Sequence, residues 1–311
     1  MNKDIIFLNP VCTHNIWGGT RLNREFGYPI EGDDIGECWG ISAHPNGDGT
    51  VASGAYQGMK LSELWGKHPE LFGNTGMERF PLLIKIIDAK DDLSIQVHPD
   101  DVYAKVHENG SLGKTECWFI LDCKENATLV VGHNAKTKEE LEQMIHGGKW
   151  KEFIREIPIK PGDFIQIDPG TVHAIKGGTL LLETQQSSDI TYRVYDYDRL
   201  SNGKPRQLHV AQSIDVITVP AKSAENSVVH TEKKDDAIQQ LIQCPYYTVY
   251  RIDVEHRVET WQDKPFVLMS VVEGEGTLNG TPLKKGDHLI LPDGYGKVEL
   301  QGRMQIIAST I

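Results

Sequence analysis

The sequence predicts a mainly β protein of sandwich or barrel type, and three observations carry that expectation. Short runs rich in β-branched and aromatic residues recur between turn signals along the 311 residues. The 30 glycines and 15 prolines supply many turns. A short pattern also occurs twice. Ile159-Lys-Pro-Gly-Asp-Phe-Ile-Gln-Ile-Asp-Pro-Gly170 resembles Leu283-Lys-Lys-Gly-Asp-His-Leu-Ile-Leu-Pro-Asp-Gly294, and each copy reads as a Gly-Asp turn, a strand and a second turn.

The elements follow in chain order. Leu61 to Phe72 is amphipathic, with Leu61, Leu64, Trp65 and Leu71 among its apolar positions, and predicts a helix. Asp100 to Glu108 follows Pro99 and carries acidic residues in its first turn, where they complement the helix dipole. Thr137-Lys-Glu-Glu140 is a capping box that opens a helix through Leu141, Met144 and Ile145. Gly147-Gly148 ends it, and Trp150 to Ile154 predicts one further helical turn. Strands are expected over 117–121, 128–131, 163–167, 180–184, 191–195, 267–272 and 288–291, with a hairpin near 273–280. The repeat and the charged stretch around Lys222, Glu225, Lys233, Lys234, Asp235 and Asp236 divide the chain. We expect one module over 1–220, a linker over 221–236 and a second, metal-free β-module over 237–311.

Composition limits the function. Hydrophobic content of 39% with 24% charged residues describes an ordinary globular protein. A formal net charge of −12 argues against nonspecific nucleic-acid binding, which uses a basic surface. An anionic small substrate stays open, since a local Arg/Lys cluster overrides the global field. No run approaches the roughly 18 apolar residues of a membrane span, and the apolar run at the N-terminus is too short for a signal peptide. The five cysteines are scattered and form no CxxC pair, which predicts reduced thiols and a cytoplasmic location.

The most informative stretch is Leu93-Ser-Ile-Gln-Val-His-Pro-Asp-Asp101. Gln96 and His98 stand two apart in a strand-like run, so their side chains share one face while Ile95 and Val97 take the other. A buried polar pair needs a partner. Glu116, at the start of an apolar run, and His173, after the Pro169-Gly170 turn, supply one with them. One amide oxygen, one carboxylate and two imidazoles form a donor set that suits zinc, and also manganese, iron or cobalt. Only the first copy of the repeat has such residues; Lys297 takes the place of His173 in the second. Each residue also has a plain structural reading: a hydrogen-bonded histidine, or a carboxylate at a strand edge.

Three cations stand out. Arg193 lies among aromatics in Thr191-Tyr-Arg-Val-Tyr-Asp-Tyr-Asp-Arg199. It is either a structural cation held by Asp196 or Asp198, or an anion anchor. Lys114 precedes Glu116 by two residues, and its alternative is a solvated loop lysine. Lys85 interrupts an apolar strand and must reach a partner, a cavity or the sheet edge.

Together these segments resemble the class I mannose-6-phosphate isomerases (phosphomannose isomerases), in their short bacterial form. The resemblance rests on Ile16-Trp-Gly-Gly19, Gly36-Glu-Cys-Trp-Gly-Ile-Ser42, Leu83-Ile-Lys-Ile-Ile-Asp-Ala89, the Leu93–Asp101 stretch, Gly113-Lys-Thr-Glu-Cys-Trp-Phe119, Pro169-Gly-Thr-Val-His-Ala-Ile175 and Tyr192-Arg-Val-Tyr-Asp-Tyr197. It implies cupin-type jelly-roll or β-sandwich domains with a helical insertion. It implies one zinc ion per chain, held by Gln96, His98, Glu116 and His173, and interconversion of mannose 6-phosphate and fructose 6-phosphate through a cis-enediol. Arg193, Lys114 and Glu183 are the implied catalytic candidates. Trp17, Lys85, Lys114 and Arg193 are those for the sugar phosphate. Asp189 and Asp196 stay open as the acidic residue near the arginine, and Ser42, Arg199, Lys204 and Arg206 as phosphate contacts. No nucleic-acid or membrane partner is expected, and the expected assembly is a monomer or weak homo-oligomer. The competing readings are an Fe(II) oxygenase built on a two-His, one-carboxylate set and a sugar-binding module without catalysis.

Overall fold

The computed structural model describes residues 4–223 and 227–311. Their contacts group them into two compact units: Met1–Thr13 with Thr20–Ile86 and Glu232–Ile311, and His14–Gly19 with Ile87–Thr231. The fold is mainly β, as expected. Part of the linker expected over 221–236, residues 224–226, lies outside the described residues.

The second unit is a sandwich of two antiparallel sheets with helices on one outer face. One sheet runs Val228–His230, Asp163–Ile167, Glu116–Cys123, Thr179–Gln186. The other runs Tyr192–Tyr195, Ile95–Val97, His173–Ala174, Thr128–His133, Ile154–Pro158. Alternation along the strands sorts the residues. Trp118, Ile120, Ile165, Ile167 and Leu181 of the first sheet share a buried core with Leu129, Val131, Ile157 and Ile175. On the outer face Ile95, Val97, Val130, Ala174, Tyr192 and Val194 pack with Leu141, Ile145, Phe153 and Ile217. The period of two therefore sends Ile95 and Val97 toward the helices and Gln96 to the opposite, inter-sheet face.

The helices of this unit follow their caps. Asp100 accepts from the backbone N–H of Tyr103 and opens Asp101–His107. Thr137 accepts from the N–H of Glu140 and opens Lys138–His146. The Glu140 carboxylate closes back on the N–H of Lys136 at 2.6 Å, one residue before the position that a capping box uses. Trp150–Phe153 forms the expected single turn. Val210–Val216 is a helix that the sequence did not signal: it has no side-chain cap and no acidic residue in its first turn.

The first unit is organised by a nine-stranded sheet with the order Ala237–Gln243, Thr248–Val254, Gly296–Thr310, Phe266–Leu278, His288–Pro292, Ile6–Asn9, Thr50–Val51. Arg257–Gln262 and Thr281–Lys284 branch from it. Phe266–Leu278 runs past its expected end at 272, because Asn279 and Gly280 both take positive φ and turn it back into Thr281–Lys284. The helix expected over 61–72 is divided into Leu61–Lys67 and a 3₁₀ turn at Pro69–Phe72, since Pro69 lacks the N–H to continue it. Trp65 and Phe72 of this segment pack edge-on against Phe80 and Phe266, with ring centroids in this cluster 4.9–6.1 Å apart.

The internal repeat is real in three dimensions. Asp163 accepts from the N–H of Lys160, and Asp287 from that of Lys284. Gly162 and Gly286, the preceding residues, both have positive φ. In the second copy the strand carries His288, whose ring is buried between the Tyr28 hydroxyl at 2.7 Å and Ser270 Oγ at 2.8 Å. Gly40 leaves the room for it: a Cβ there would come within 2.2 Å of the ring. Burial pushes the imidazole from 6.5 down to about 3. Between those values the unfolded chain binds a proton that the folded chain does not. This group's stabilisation is therefore complete above pH 6.5 and fades as pH falls toward 3. We expect the thermal midpoint to drop across that window, and His288→Asn to flatten the slope by about 1 kcal/mol per pH unit. An unchanged slope in that variant would assign the acid sensitivity elsewhere.

The cysteine expectation needs correction. Cys12 and Cys38 form a disulfide between neighbouring strands. Strand pairing brings the two together across 26 residues of sequence, a proximity that cysteine spacing does not encode.

Candidate metal centre

Strand register builds the centre. Gln96 is paired on one side with His173 and on the other with Arg193, so the three side chains form a row on one face of the sheet. In the facing sheet Glu116 lies between Ile167 and Gln185, and Trp118 opposite Glu183. His98 follows Gln96 by two residues and completes the set. His98, Glu116 and His173 are almost fully buried, and their ligand atoms lie within 4.8 Å of one another.

The hydrogen bonds orient the donors. His98 Nδ1 lies 2.8 Å from the carbonyl of Ile190, and His173 Nδ1 lies 2.9 Å from that of Thr171. A carbonyl only accepts, so each ring holds its proton on Nδ1 and turns an Nε2 lone pair inward. Those Nε2 atoms stand 3.3 Å from Glu116 Oε2 and Oε1 respectively. The Gln96 amide is 3.2 Å from His173 Nε2. Turned about its own axis, that amide presents Oε1 to the same point.

The electrostatics agree. Burial, and then the nearby Lys114 ammonium, pushes His98 down to about 3. Burial also lowers His173. Both rings are therefore neutral ligands at physiological pH. Burial favours the neutral acid at Glu116, but the Lys114 ammonium outweighs it and holds the carboxyl well below the usual range. Lys114 Nζ reaches Glu116 Oε2 at 2.5 Å and His98 Nε2 at 3.0 Å, so an ammonium already answers the converging lone pairs. Glu116 Oε1 is buried and accepts no hydrogen bond. Inward lone pairs, an anionic carboxylate and this orphaned oxygen fit a divalent cation, and the mixed N and O donors fit zinc.

The loop before Glu116 is fixed by close approach. A Cβ on Gly113 would stand 2.5 Å from the backbone of Asp100 and Asp101, so only glycine fits there. Asp101 Oδ1 accepts from the Gly113 N–H and from Gln186, whose Oε1 in turn takes the N–H of Thr115.

Arg193 is half-buried beside the cluster; its Nε donates to Ser94 Oγ at 3.2 Å and its Nη1 to the Gln207 carbonyl at 3.0 Å. Asp196 does hold arginines, but they are Arg199 and Arg206 rather than Arg193. Glu183 is buried and accepts from Trp118 Nε1 at 2.9 Å, and the Trp118 ring stands edge-on to His173. Trp17 is a buried member of the inter-sheet core. Lys85 belongs to the first unit, where it pairs with Glu37 at 3.0 Å and lies over the Trp39 ring. Sequence reasoning missed Ser94, whose hydroxyl lies between Arg193 Nε and Gln96 Oε1, although it shares the alternating face of Gln96 and His98. It also missed Gln207 and His209, which no local pattern connects to Arg193.

A family model described as the catalytic domain of type I phosphomannose isomerase matches residues 5–119, and the mannose-6-phosphate isomerase cupin domain matches 237–311. The chain is 50% identical to mannose-6-phosphate isomerase ManA of Bacillus subtilis over 99% of both chains. The chain belongs to the type I phosphomannose isomerase family. It is also 48% identical to mannose-6-phosphate isomerase of Streptococcus mutans, over 98% of this chain and 97% of that one. A crystal structure of the B. subtilis mannose 6-phosphate isomerase superposes with a TM-score of 0.92 at 48% identity, covering 99% of this chain and all of that one. A phosphomannose isomerase mutant from Salmonella typhimurium shares the fold at 15% identity, with a TM-score of 0.82 over 99% of each chain. Membership extends over the whole chain, and with it the cupin architecture expected from the sequence.

Proposed function

We propose that the protein is a zinc-dependent aldose–ketose isomerase that interconverts D-mannose 6-phosphate and D-fructose 6-phosphate through a cis-enediol. The observation that carries this reading is the convergence of two neutral imidazoles, an anionic carboxylate and an amide beside an arginine in one row, in a chain half identical to named mannose-6-phosphate isomerases. Gln96, His98, Glu116 and His173 would hold the zinc. When bound, the ion supplies Lewis acidity toward the sugar oxygens.

The protein's own side chains account for the rest. Isomerisation takes the proton from C2 of the open aldose, next to its carbonyl, and returns it to C1. Negative charge grows on oxygen meanwhile. The Arg193 guanidinium, held by Ser94 and Gln207, is a fixed cation that costs no reorganisation when that charge appears. Lys114, inside the ligand cluster, and Glu183, buried beside Trp118, are the groups proposed to hold and return the proton. Trp17 is the further proposed contact to the sugar phosphate within this unit. A small charged substrate goes with a cytoplasmic enzyme, acting as a monomer or weak homo-oligomer without nucleic-acid or membrane partners. Among the described residues no helix is long and apolar enough to cross a membrane. The module over 1–220 would carry the chemistry and that over 237–311 would be metal-free.

A coupled assay tests the substrate: mannose 6-phosphate is supplied and fructose 6-phosphate is measured, with folded, zinc-loaded protein. Turnover supports the reading. Its absence, or turnover that consumes oxygen, moves the chain to another cupin chemistry.

A further inference from the structure

The strand that carries Arg193 lies at the edge of its sheet, with Ile95–Val97 on one side only. An edge leaves main-chain groups on its outer side in need of partners. At Arg193 those partners come from a single residue. The Arg193 N–H donates to the ring Nδ1 of His209 at 3.3 Å, and the His209 N–H donates to the Arg193 carbonyl at 2.8 Å. Two residues earlier, the Gln207 carbonyl takes Arg193 Nη1 at 3.0 Å. One short loop therefore holds this arginine at its amide, its carbonyl and its guanidinium tip.

His209 is itself anchored. Its carbonyl accepts from the N–H and the hydroxyl of Ser213, at 2.9 and 2.7 Å, in the first turn of the helix Val210–Val216. Its ring lies against Tyr192, with centroids 6.0 Å apart. The Nδ1 atom faces a donor, so the ring must be neutral with its proton on Nε2. Burial, followed by the positive charge of Arg193, keeps it so by lowering its pKa against the opposing pull of Glu108.

We propose that His209 is a positioning residue for catalysis: it substitutes for a missing strand and fixes where the Arg193 guanidinium stands in the row Arg193–Gln96–His173. The proposal rests on the isomerase reading and extends it, because no ligand or substrate contact is asked of His209. A displaced arginine loses its effect on the transition state while the ligand set stays intact.

The test uses zinc-loaded full-length protein with mannose 6-phosphate. We expect His209→Ala to lower kcat by about 10- to 100-fold, with KM within a factor of about two and an unchanged zinc content. His209→Asn places an amide oxygen where Nδ1 stands, and should recover most of kcat. In an Arg193→Ala background, His209→Ala should add little. Wild-type kcat in His209→Ala would overturn the proposal. So would multiplicative losses in the double variant, or equal losses in the Ala and Asn variants at unchanged thermal midpoint. Absence of turnover in the zinc-loaded parent protein would instead sink the isomerase reading, so the two failures are distinguishable.

Discussion

His173→Ala is expected to lose the metal, with zinc falling from about one ion per chain toward none and isomerase turnover falling to background. The ring is fully buried, its Nδ1 is committed to the Thr171 carbonyl, and its Nε2 has only the ligand cluster to face. Three donors would remain, two of them on one short stretch, Gln96 and His98. The substitution also removes a ring packed edge-on to Trp118. It should therefore cost about 2–4 kcal/mol of stability, in the manner of other large-to-small core changes. Far-ultraviolet circular dichroism separates the two effects, since a folded chain without zinc is the expected product. Zinc content equal to wild type in the folded variant would remove His173 from the ligand set.

Arg193→Ala separates binding of the ion from catalysis. Its guanidinium donates to Ser94 and to the Gln207 carbonyl, and no ligand depends on it for charge neutralisation. Zinc content should stay at the parent level while kcat falls by about 10²- to 10³-fold, the usual effect of removing a preorganised donor from a developing oxyanion. Arg193→Lys should recover little, because a single ammonium does not reproduce the two-point hold on Ser94 and Gln207. Parent-level turnover in a zinc-loaded Arg193→Ala protein would make the arginine structural.

Much of the candidate metal centre is legible in the sequence. A strand's period of two put Gln96 and His98 on one face and sent Ile95 and Val97 to the other, and the sandwich obeys that sorting. Glu116 was legible as a carboxylate opening an apolar run, and it stands where such a residue is costly unless it serves charge. The helices with side-chain caps were legible from Asp100 and Thr137. Val210–Val216, which lacks one, was not. Contacts that depend on tertiary closure were also hidden. Nothing local links Ser94 to Arg193, Cys12 to Cys38, or His209 to the edge strand it completes. Asp196 is one of two acids that the sequence offers Arg193, but it turns to Arg199 and Arg206 instead. Choosing among three arginines in one stretch takes coordinates, because each choice has the same sequence signature.

A divalent ion held by Gln96, His98, Glu116 and His173 is proposed to be required for sugar phosphate isomerisation. The most direct measurement follows mannose 6-phosphate turnover and bound metal together, before chelation, after it, and after zinc is restored. Turnover should disappear as the ion leaves and return in proportion to zinc, saturating near one ion per chain. Full turnover in protein whose measured metal content is zero would contradict it.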